Sequence, residues 1–427
     1  MATPDTTACA KVTRRLVPFL MLLYVVAWFD RINVGFAALQ MNRDLGFSPA
    51  VFGFGAGVFF LGYALFEVPS NLLLARVGAR RWIARIMVTW GLISVAMMFV
   101  RDATGFYVLR FVLGVAEAGF LPGVIYYLGH WYPREARAHA ISWFMVGIPL
   151  STVLGAPLAG LLLQMNGLAA LKGWQWLYLL EGLPAVLLGI VVWLRLPELP
   201  QDARWLTPDE KTALGERIRA EHAETQERHG LGVRAALLHP TVWLLGIVLF
   251  CCQCGSYGLN LWIPQIVKGL SGSSDLVVGL ISALPYAAAA LGMVWIGRSS
   301  DRSGERFWHV ALPSLIGAAG FAASAWFTSP LPGMLALSIA AVGDLGSRGP
   351  FWALPPRFLA GGSLAAGIAL INTLGSLGGF VGPYAVGLVK DITGGFTGGL
   401  LFLAGLLVVS AVATLQLRRH AALAAGQ

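Results

Sequence analysis

The sequence predicts an all-α integral membrane protein with twelve transmembrane helices in two six-helix halves. Three observations predict that class. Of the 427 residues, 57% are hydrophobic and 12% charged, against about 25% charged in a soluble domain, and the mean hydropathy is +0.71. Apolar runs near the ~20 residues that cross a bilayer as a helix recur along the whole chain. One long polar stretch interrupts them, and it falls at the middle.

The first set of runs covers 16–39, 51–74, 83–101, 105–129, 139–164 and 174–196. The second covers 241–266, 275–297, 307–327, 331–354, 362–388 and 396–417. The expected organisation is therefore a tail over 1–15, a six-helix bundle over 16–196, a linker over 197–239, a second bundle over 240–417 and a tail over 418–427. In the linker, Thr207, Pro208, Asp209 and Glu210 read as a helix start. The charged stretch after them reads as a solvated or membrane-surface helix without catalytic content.

An even number of spans puts both termini on one side, and the basic residues say which. Of the 30 Lys and Arg, 22 fall on the side of the tails and linker and 5 on the other. The positive-inside rule makes the tails and linker cytoplasmic, which fits a bacterial inner membrane. The same rule accounts for the net charge of +9 without nucleic acid. Leu16 onward is longer than the apolar core of a signal peptide and has no small-residue cleavage site, so no cleavable signal is expected. Cys251, Cys252 and Cys254 lie within an apolar run, without the spacing of a metal site, and read as core. No H-E-x-x-H, G-x-S-x-G or G-K-[ST] pattern occurs, so no enzyme class is indicated. All seven histidines (130, 139, 222, 229, 239, 309 and 420) fall in loops or at helix ends, which leaves carboxylates as the proton carriers inside the membrane.

The two halves echo each other. After the second run comes Asn71-Leu-Leu-Leu-Ala75-Arg76-Val-Gly78-Ala-Arg80, and after the eighth Gly297-Arg-Ser-Ser-Asp301-Arg302-Ser-Gly304-Glu-Arg306. Both follow G-x-x-x-D-R-x-G-x-R, the first with Asn and Ala at the Gly and Asp places. Runs five and eleven are both rich in Gly and Pro, from Gly147 to Gly160 and from Gly375 to Pro383. Small residues let helices approach closely, and interruptions at matching places in two halves mark the core of a transporter.

On these features the chain resembles the major facilitator superfamily. Asp30-Arg31-x-Asn33, the run from Arg110 through Glu117 to Pro122-Gly123, Tyr257-Gly-x-x-x-Trp262-x-Pro264 and Phe351-Trp-Ala-Leu-Pro355 resemble, more narrowly, its anion:cation symporter branch. That branch includes bacterial carriers of tartrate, phthalate, hexonates and hexarates, and animal sialate and glutamate transporters. The resemblance runs from about Arg14 to Leu417 and departs at Ala75. A weaker cytoplasmic charge lock in the first half is the expected consequence.

Charged side chains inside hydrocarbon cost about 2.5–3.5 kcal/mol each on insertion scales and mark function by default. Asp30 and Arg31 stand in the first run, and Arg110 and Glu117 in the fourth. The last two share one helix face, about 10 Å apart along the axis. The alternatives are two structural ion pairs, or arginines that bind a carboxylate beside acids that accept protons. Arg suits the first task because its planar fork meets a carboxylate bidentately and stays charged. The resemblance implies that Asp30 and Glu117 couple protons and that Arg31 and Arg110 are linked to anion binding. The mechanism expected from these residues has ionised Glu117 competing with substrate for Arg110, until a proton on Glu117 frees the arginine.

Further candidates for substrate binding are Tyr63, Tyr257, Asn372 and Arg348, the last with Asp344 four residues earlier as a possible neutralising partner. Glu67 and Glu181 read as locally hydrogen-bonded acids. Arg76, Arg80, Gly297, Asp301 and Arg302, in the repeated loops, read as gating residues. The expected function is uptake of a small organic anion by proton symport with alternating access. The substrate would be a hydroxy-dicarboxylate such as tartrate, a sugar acid or an aromatic carboxylate. A functional monomer in the lipid bilayer, using a proton gradient with no cofactor and no metal, completes the expectation. An exchanger or uniporter for the same anions stays open, as does, more remotely, a membrane enzyme or transport-like sensor.

Overall fold

The computed structural model describes residues 4–145, 147–227, 239–359 and 361–425. Linker residues 228–238, with His229, lie outside the described residues, as do the side chains of Arg134, Pro149, His222 and His420. The first half comprises α1 (Pro4–Leu45), α2 (Pro49–Val77), α3 (Ala79–Ala96), α4 (Ala103–Glu117), α5 (Phe120–Gly129), α6 (Arg134–Met145), α7 (Gly147–Leu163) and α8 (Gly173–Arg195). The linker contributes α9 (Pro208–Glu227). The second half comprises α10 (Pro240–Ser271), α11 (Asp275–Ser303), α12 (Trp308–Ser324), α13 (Pro330–Gly346), α14 (Arg348–Trp352), α15 (Pro355–Phe358), α16 (Gly361–Thr393) and α17 (Thr397–Ala425).

Eleven helical stretches among the described residues are long and apolar enough to cross a membrane. They fall on eleven of the twelve expected runs. The other run, at 307–327, holds α12, whose 17 residues make about 26 Å of helix, slightly less than the ~30 Å of a hydrocarbon core. The molecule is thus a multi-pass membrane protein with a twelve-helix architecture.

The fourth span of each half is broken, for the same reason. Pro122 and Pro350 have no N–H to give to the carbonyl four residues back, at Ala118 and Gly346. At the first break Ala118 is extended (φ −54, ψ 129) and Gly119 left-handed (φ 87), a conformation that favours glycine. The released Ala118 carbonyl accepts instead from Ser70 Oγ of α2 at 2.6 Å, which in turn accepts from Trp82 Nε1 at 3.0 Å. Irregular backbone at membrane depth is tolerated where protein partners satisfy it in this way. Glu117 ends α4 at one break, and Asp344 and Arg348 flank the other.

The repeated loop keeps its glycine for a backbone reason: Gly78 has φ 98 and Gly304 φ 68. In the second copy Asp301 pairs with Arg306 at 2.6 Å. In the first copy, where Ala75 replaces the acid, Glu198 comes in from beyond α8. Its Oε1 accepts from Ala79 N at 2.6 Å, and its Oε2 lies 3.9 Å from Arg80. The carboxylate missing from the motif is therefore supplied from elsewhere in the chain.

The halves meet at the end away from the termini. Added Cβ atoms at Gly53, Gly57 and Gly160 would stand 2.7, 2.7 and 2.6 Å from the carbonyls of Pro383, Phe380 and Asp275. Backbones are in contact there, and only glycine fits. Gln40 donates to Asp275 at 2.8 Å and Ser48 to Asp391 at 2.9 Å, so this end is closed.

At the other end the structure adds two features to the expected organisation. The stretch read as an N-terminal tail is already helical from Pro4 and continues α1. Helix α9 is docked on it, Lys11 Nζ meeting Glu210 Oε1 at 2.7 Å, and just before α9 Trp205 lies under Arg15, 5.5 Å from its guanidinium. Leu214 and Ile218 are buried at the contact, so the linker helix is a packed element. Apolar periodicity did not find it because the docking face is short and its anchor is an ion pair. The Lys11 ammonium, with Thr207, holds the Glu210 carboxyl below the usual carboxylate range. A lowered value means that this contact contributes fully above pH ~4.3 and is lost as pH falls through the lowered value. Spin labels on the first turns of α1 and on α9 should separate in acid in the native chain, whereas Glu210→Gln should show no such acid step. An unchanged separation in the native chain would mean the ion pair does not hold the linker.

Candidate functional site

Adjacent residues on a helix point about 100° apart, so Asp30 and Arg31 serve different neighbours. Asp30 turns to α3 and is buried. It accepts from Asn33 Nδ2 at 2.9 Å and from Trp90 Nε1 and Ser94 Oγ. Arg31 turns to α2 and α4, where its Nε donates to Glu117 Oε1 at 2.6 Å. Its guanidinium lies 5.4, 5.9 and 5.1 Å from the ring centres of Trp28, Phe59 and Tyr63, within the range of cation–π attraction. Arg31 keeps 10% of its side chain exposed and Glu117 only 2%. The arginine is the accessible partner.

Arg110 is elsewhere. It is 1% exposed and its Nε and Nη2 point to the carbonyls of Gly55 and Ala56 at 3.4 and 3.1 Å. Helices α2 and α4 cross so closely that a Cβ on Gly62 or Gly114 would collide with the facing backbone, and this brings those carbonyls within reach. The expected competition for Arg110 is not what the geometry shows: Glu117 is paired with Arg31. Seven-residue spacing places two side chains on one face of their own helix but does not say which neighbour crosses at each level.

Tyr63 and Tyr257 join the Arg31 cluster. Tyr63 is buried beside the guanidinium, and Tyr257 of α10 packs on Phe60 with ring centres 4.2 Å apart. One turn beyond Tyr63, Glu67 accepts both Nδ2 contacts of Asn372 on α16, at 3.0 and 3.1 Å. Asn372 is thus a bridge between the halves.

A second acid–arginine group lies in the other half. Asp344 Oδ1 stands 3.3 Å from Arg348 Nη2, the same Nη2 donates to Ser256 Oγ at 2.7 Å, and Ser256 Oγ donates to Asp344 Oδ2. Ser256 precedes Tyr257 on α10. Arg348 keeps 14% of its side chain exposed and Asp344 2%, as in the first pair. Trp90, Ser94, Ser256 and Glu198 were missed in the sequence. A serine beside a singled-out tyrosine was the one available signal; the others look like ordinary span or loop residues.

The gating candidates all lie at the termini end. Arg80 is held by Glu198 and Asp301 by Arg306 in its own loop, Arg76 and Arg302 are exposed, and Gly297 has open space around it. Cys251, Cys252 and Cys254 are buried free thiols. Among the described residues no cluster of His, Cys, Asp and Glu is arranged to hold a metal ion.

Comparison with known proteins adds a family. The model of the Major Facilitator Superfamily matches residues 20–383. A protein of Agrobacterium vitis described as "Putative tartrate transporter" is 52% identical over 96% of this chain and 91% of its own length. The "Inner membrane transport protein RhmT" of Escherichia coli is 37% identical over 95% of this chain and 94% of its own. Among solved structures, a bacterial homologue of the human lysosomal transporter Spinster superposes with a TM-score of 0.79, at 18% identity, over 98% of both chains.

The donor set around Asp30 has a measurable consequence. Trp90→Phe removes one of its donors and leaves a buried carboxyl oxygen short of a partner, at a cost of about 1–3 kcal/mol. Chemical unfolding of the detergent-solubilised protein should show that loss for Trp90→Phe and a smaller one for Ser94→Ala, where Asn33 still donates to the same oxygen. Variants as stable as the native chain would mean that Asp30 does not depend on α3.

Proposed function

The chain belongs to the Major Facilitator Superfamily, and from that premise we propose that it imports a small organic dicarboxylate by proton symport. The observation that carries the proposal is the Arg31–Glu117 pair at 2.6 Å, joining two helices among aromatic rings with its arginine partly exposed. While Glu117 is ionised, it occupies the Arg31 fork. A proton added to Glu117 breaks the ion pair, and a substrate carboxylate takes its place on Arg31. One proton and one carboxylate enter together, so the charge inside the site does not change. That matters because an unbalanced charge in a low-dielectric interior is costly.

Asp344 and Arg348 repeat the arrangement across the molecule. Two such pairs suit a dianion accompanied by two protons, with Tyr63, Tyr257 and Ser256 near enough to the arginines to bind hydroxyl groups. Tartrate, the substrate in the names of two relatives, which are 52% and 51% identical, has two carboxylates and two hydroxyls. It is the first compound to try. On this reading Arg110 contributes by fixing α4 against α2. The contacts at Gly53, Gly57 and Gly160 are the closed gate of an inward-open carrier, with the termini in the bacterial cytoplasm. Alternating access then requires those contacts to part while the loops at Arg76, Arg80, Gly297, Asp301 and Arg302 close.

Proteoliposomes with a more acid exterior should accumulate labelled tartrate only while the gradient lasts. Glu117→Gln, which mimics the protonated acid, should keep tartrate exchange and lose accumulation, and Arg31→Gln should lose both. Arg348→Gln should raise the half-saturating tartrate concentration roughly 10- to 100-fold, the equivalent of about 1.4–3 kcal/mol for a charged hydrogen bond, and affect a monocarboxylic sugar acid far less. Uptake indifferent to pH, with Glu117→Gln behaving as the native chain, would replace symport by exchange or uniport.

A further inference from the structure

The transport scheme gives no task to Arg85, a cation inside a membrane span. It lies on α3 six residues past Ala79, about 9 Å along the helix, and is half-buried. No acid pairs with it among the described residues, and its Nε is buried without a hydrogen-bond partner. The guanidinium stands 4.0 Å from the ring centre of Trp82, and the Trp82 indole is itself held by Ser70 Oγ at 3.0 Å. The cation is positioned by a fixed ring, yet no acid of the protein balances its charge.

Arg85 lines a groove of about 340 Å³ between α3 and α8. Small buried residues, Ala84 and Gly189, form its floor. The helices touch at Gly189, where a Cβ would stand 2.8 Å from Val88 Cγ2. The opposite wall is Ile190, Trp193 and Leu194, which are 46%, 54% and 70% exposed. Large apolar side chains so exposed, on a helix long enough to cross a membrane, face lipid. The groove therefore opens to the bilayer.

The surrounding charge is of one sign. Arg81, one turn before Arg85, and Arg195, next to Leu194, are both exposed, so three guanidiniums lie where α3 begins and α8 ends. Glu198, the acid at that end, is taken by the backbone N–H groups of Ala79 and Arg80. An occupant must offer a negative group to Arg85 and apolar chains to Ile190, Trp193 and Leu194. A free phosphate has only the first, whereas a phospholipid has both. Arginine meets a phosphate through its planar fork, and basic pockets between spans take anionic head groups.

We propose that the groove between α3 and α8 binds one anionic phospholipid, with its phosphate on Arg85 and its acyl chains along Ile190, Trp193 and Leu194. In the orientation proposed above, this lipid belongs to the inner leaflet.

Native mass spectrometry of the whole protein in detergent, titrated with phosphatidylglycerol or phosphatidylcholine, tests the site. The native chain should bind phosphatidylglycerol more tightly than phosphatidylcholine. Arg85→Gln should weaken the tightest phosphatidylglycerol step about fivefold, the effect of one basic residue on an anionic head group, and leave phosphatidylcholine unchanged. Leu194→Glu, at an exposed position, leaves Arg85 in place and offers it a carboxylate. It should produce the same loss, and it serves if Arg85→Gln fails to fold. Arg419→Gln removes an exposed cation from α17 and should leave that step as it is. Equal binding of the two lipids by the native chain, or an unchanged step in Arg85→Gln, would overturn the proposal. A loss as large in Arg419→Gln would also overturn it, by tracing the preference to net charge. Displacement of phosphatidylglycerol by inorganic phosphate, at an ionic strength matched with chloride, would make the groove a free-anion site and overturn it as well.

Discussion

A carboxylate within hydrocarbon needs a cation, a set of donors or a proton, and the first half of this molecule meets that demand differently at each of its buried acids. Glu117 has the Arg31 guanidinium at 2.6 Å. Asp30 has three donors from two helices. Glu67 has the Asn372 amide, reached from the other half. Glu181 has one carboxyl oxygen, Oε2, without a partner among the described residues. Buried acids outnumber the guanidiniums of Arg31 and Arg110, and Arg110 is committed to backbone carbonyls. These acids tie α1 to α3 and α4, and α2 to α16, so the placement of the spans and the placement of charge are one problem.

The helix breaks belong to the same problem. A continuous α-helix keeps its backbone carbonyls for itself, whereas Pro122 and Pro350 leave the carbonyls of Ala118 and Gly346 without that donor, and at Gly119 the chain also turns beside Glu117. Both sites of partial exposure, Arg31 and Arg348, lie next to an acid at such a break. Close helix crossings do the remaining positioning. Where α2 passes α4 and α16, glycines at 53, 57, 62 and 114 bring backbone against backbone. At 53 and 57 the contact joins the two halves, and at 62 and 114 it joins α2 to α4 within the first half.

Much of the fold was legible in the sequence because the bilayer enforces it. Span length, the polar middle and the repeated loop follow from solvation and from chain duplication, and each reads along the chain. The shortness of α12 and the docking of α9 did not show, since the first depends on where the capping turns fall and the second on one ion pair. At the site, residue types were legible and partners were not. Arg31, Glu117, Tyr63 and Tyr257 do come together. Helical spacing set Arg110 on one face with Glu117 and the family resemblance linked it to the anion, yet it faces α2, because which helix crosses at a given level is a tertiary fact. Asn372 was read as a donor to substrate, and here it is satisfied by Glu67. Ala75 was read as a loss of charge, and Glu198 restores it from a distant position that no local motif would include.

The two halves carry acid–arginine pairs of one design, and the design argues for cargo that is neutral overall. In each pair the acid is nearly enclosed while the arginine keeps a small exposed edge. An anion arriving alone would have to displace an ionised acid from its cation and leave that acid buried and uncompensated, a change of several kcal/mol. An anion arriving with a proton exchanges one neutral arrangement for another. The more deeply the acid is enclosed, the larger the difference between these two routes. On the proposed reading, the enclosure of Glu117 and Asp344 is what makes coupling strict. A more open acid would be hydrated when displaced, and the anion would leak through without its proton.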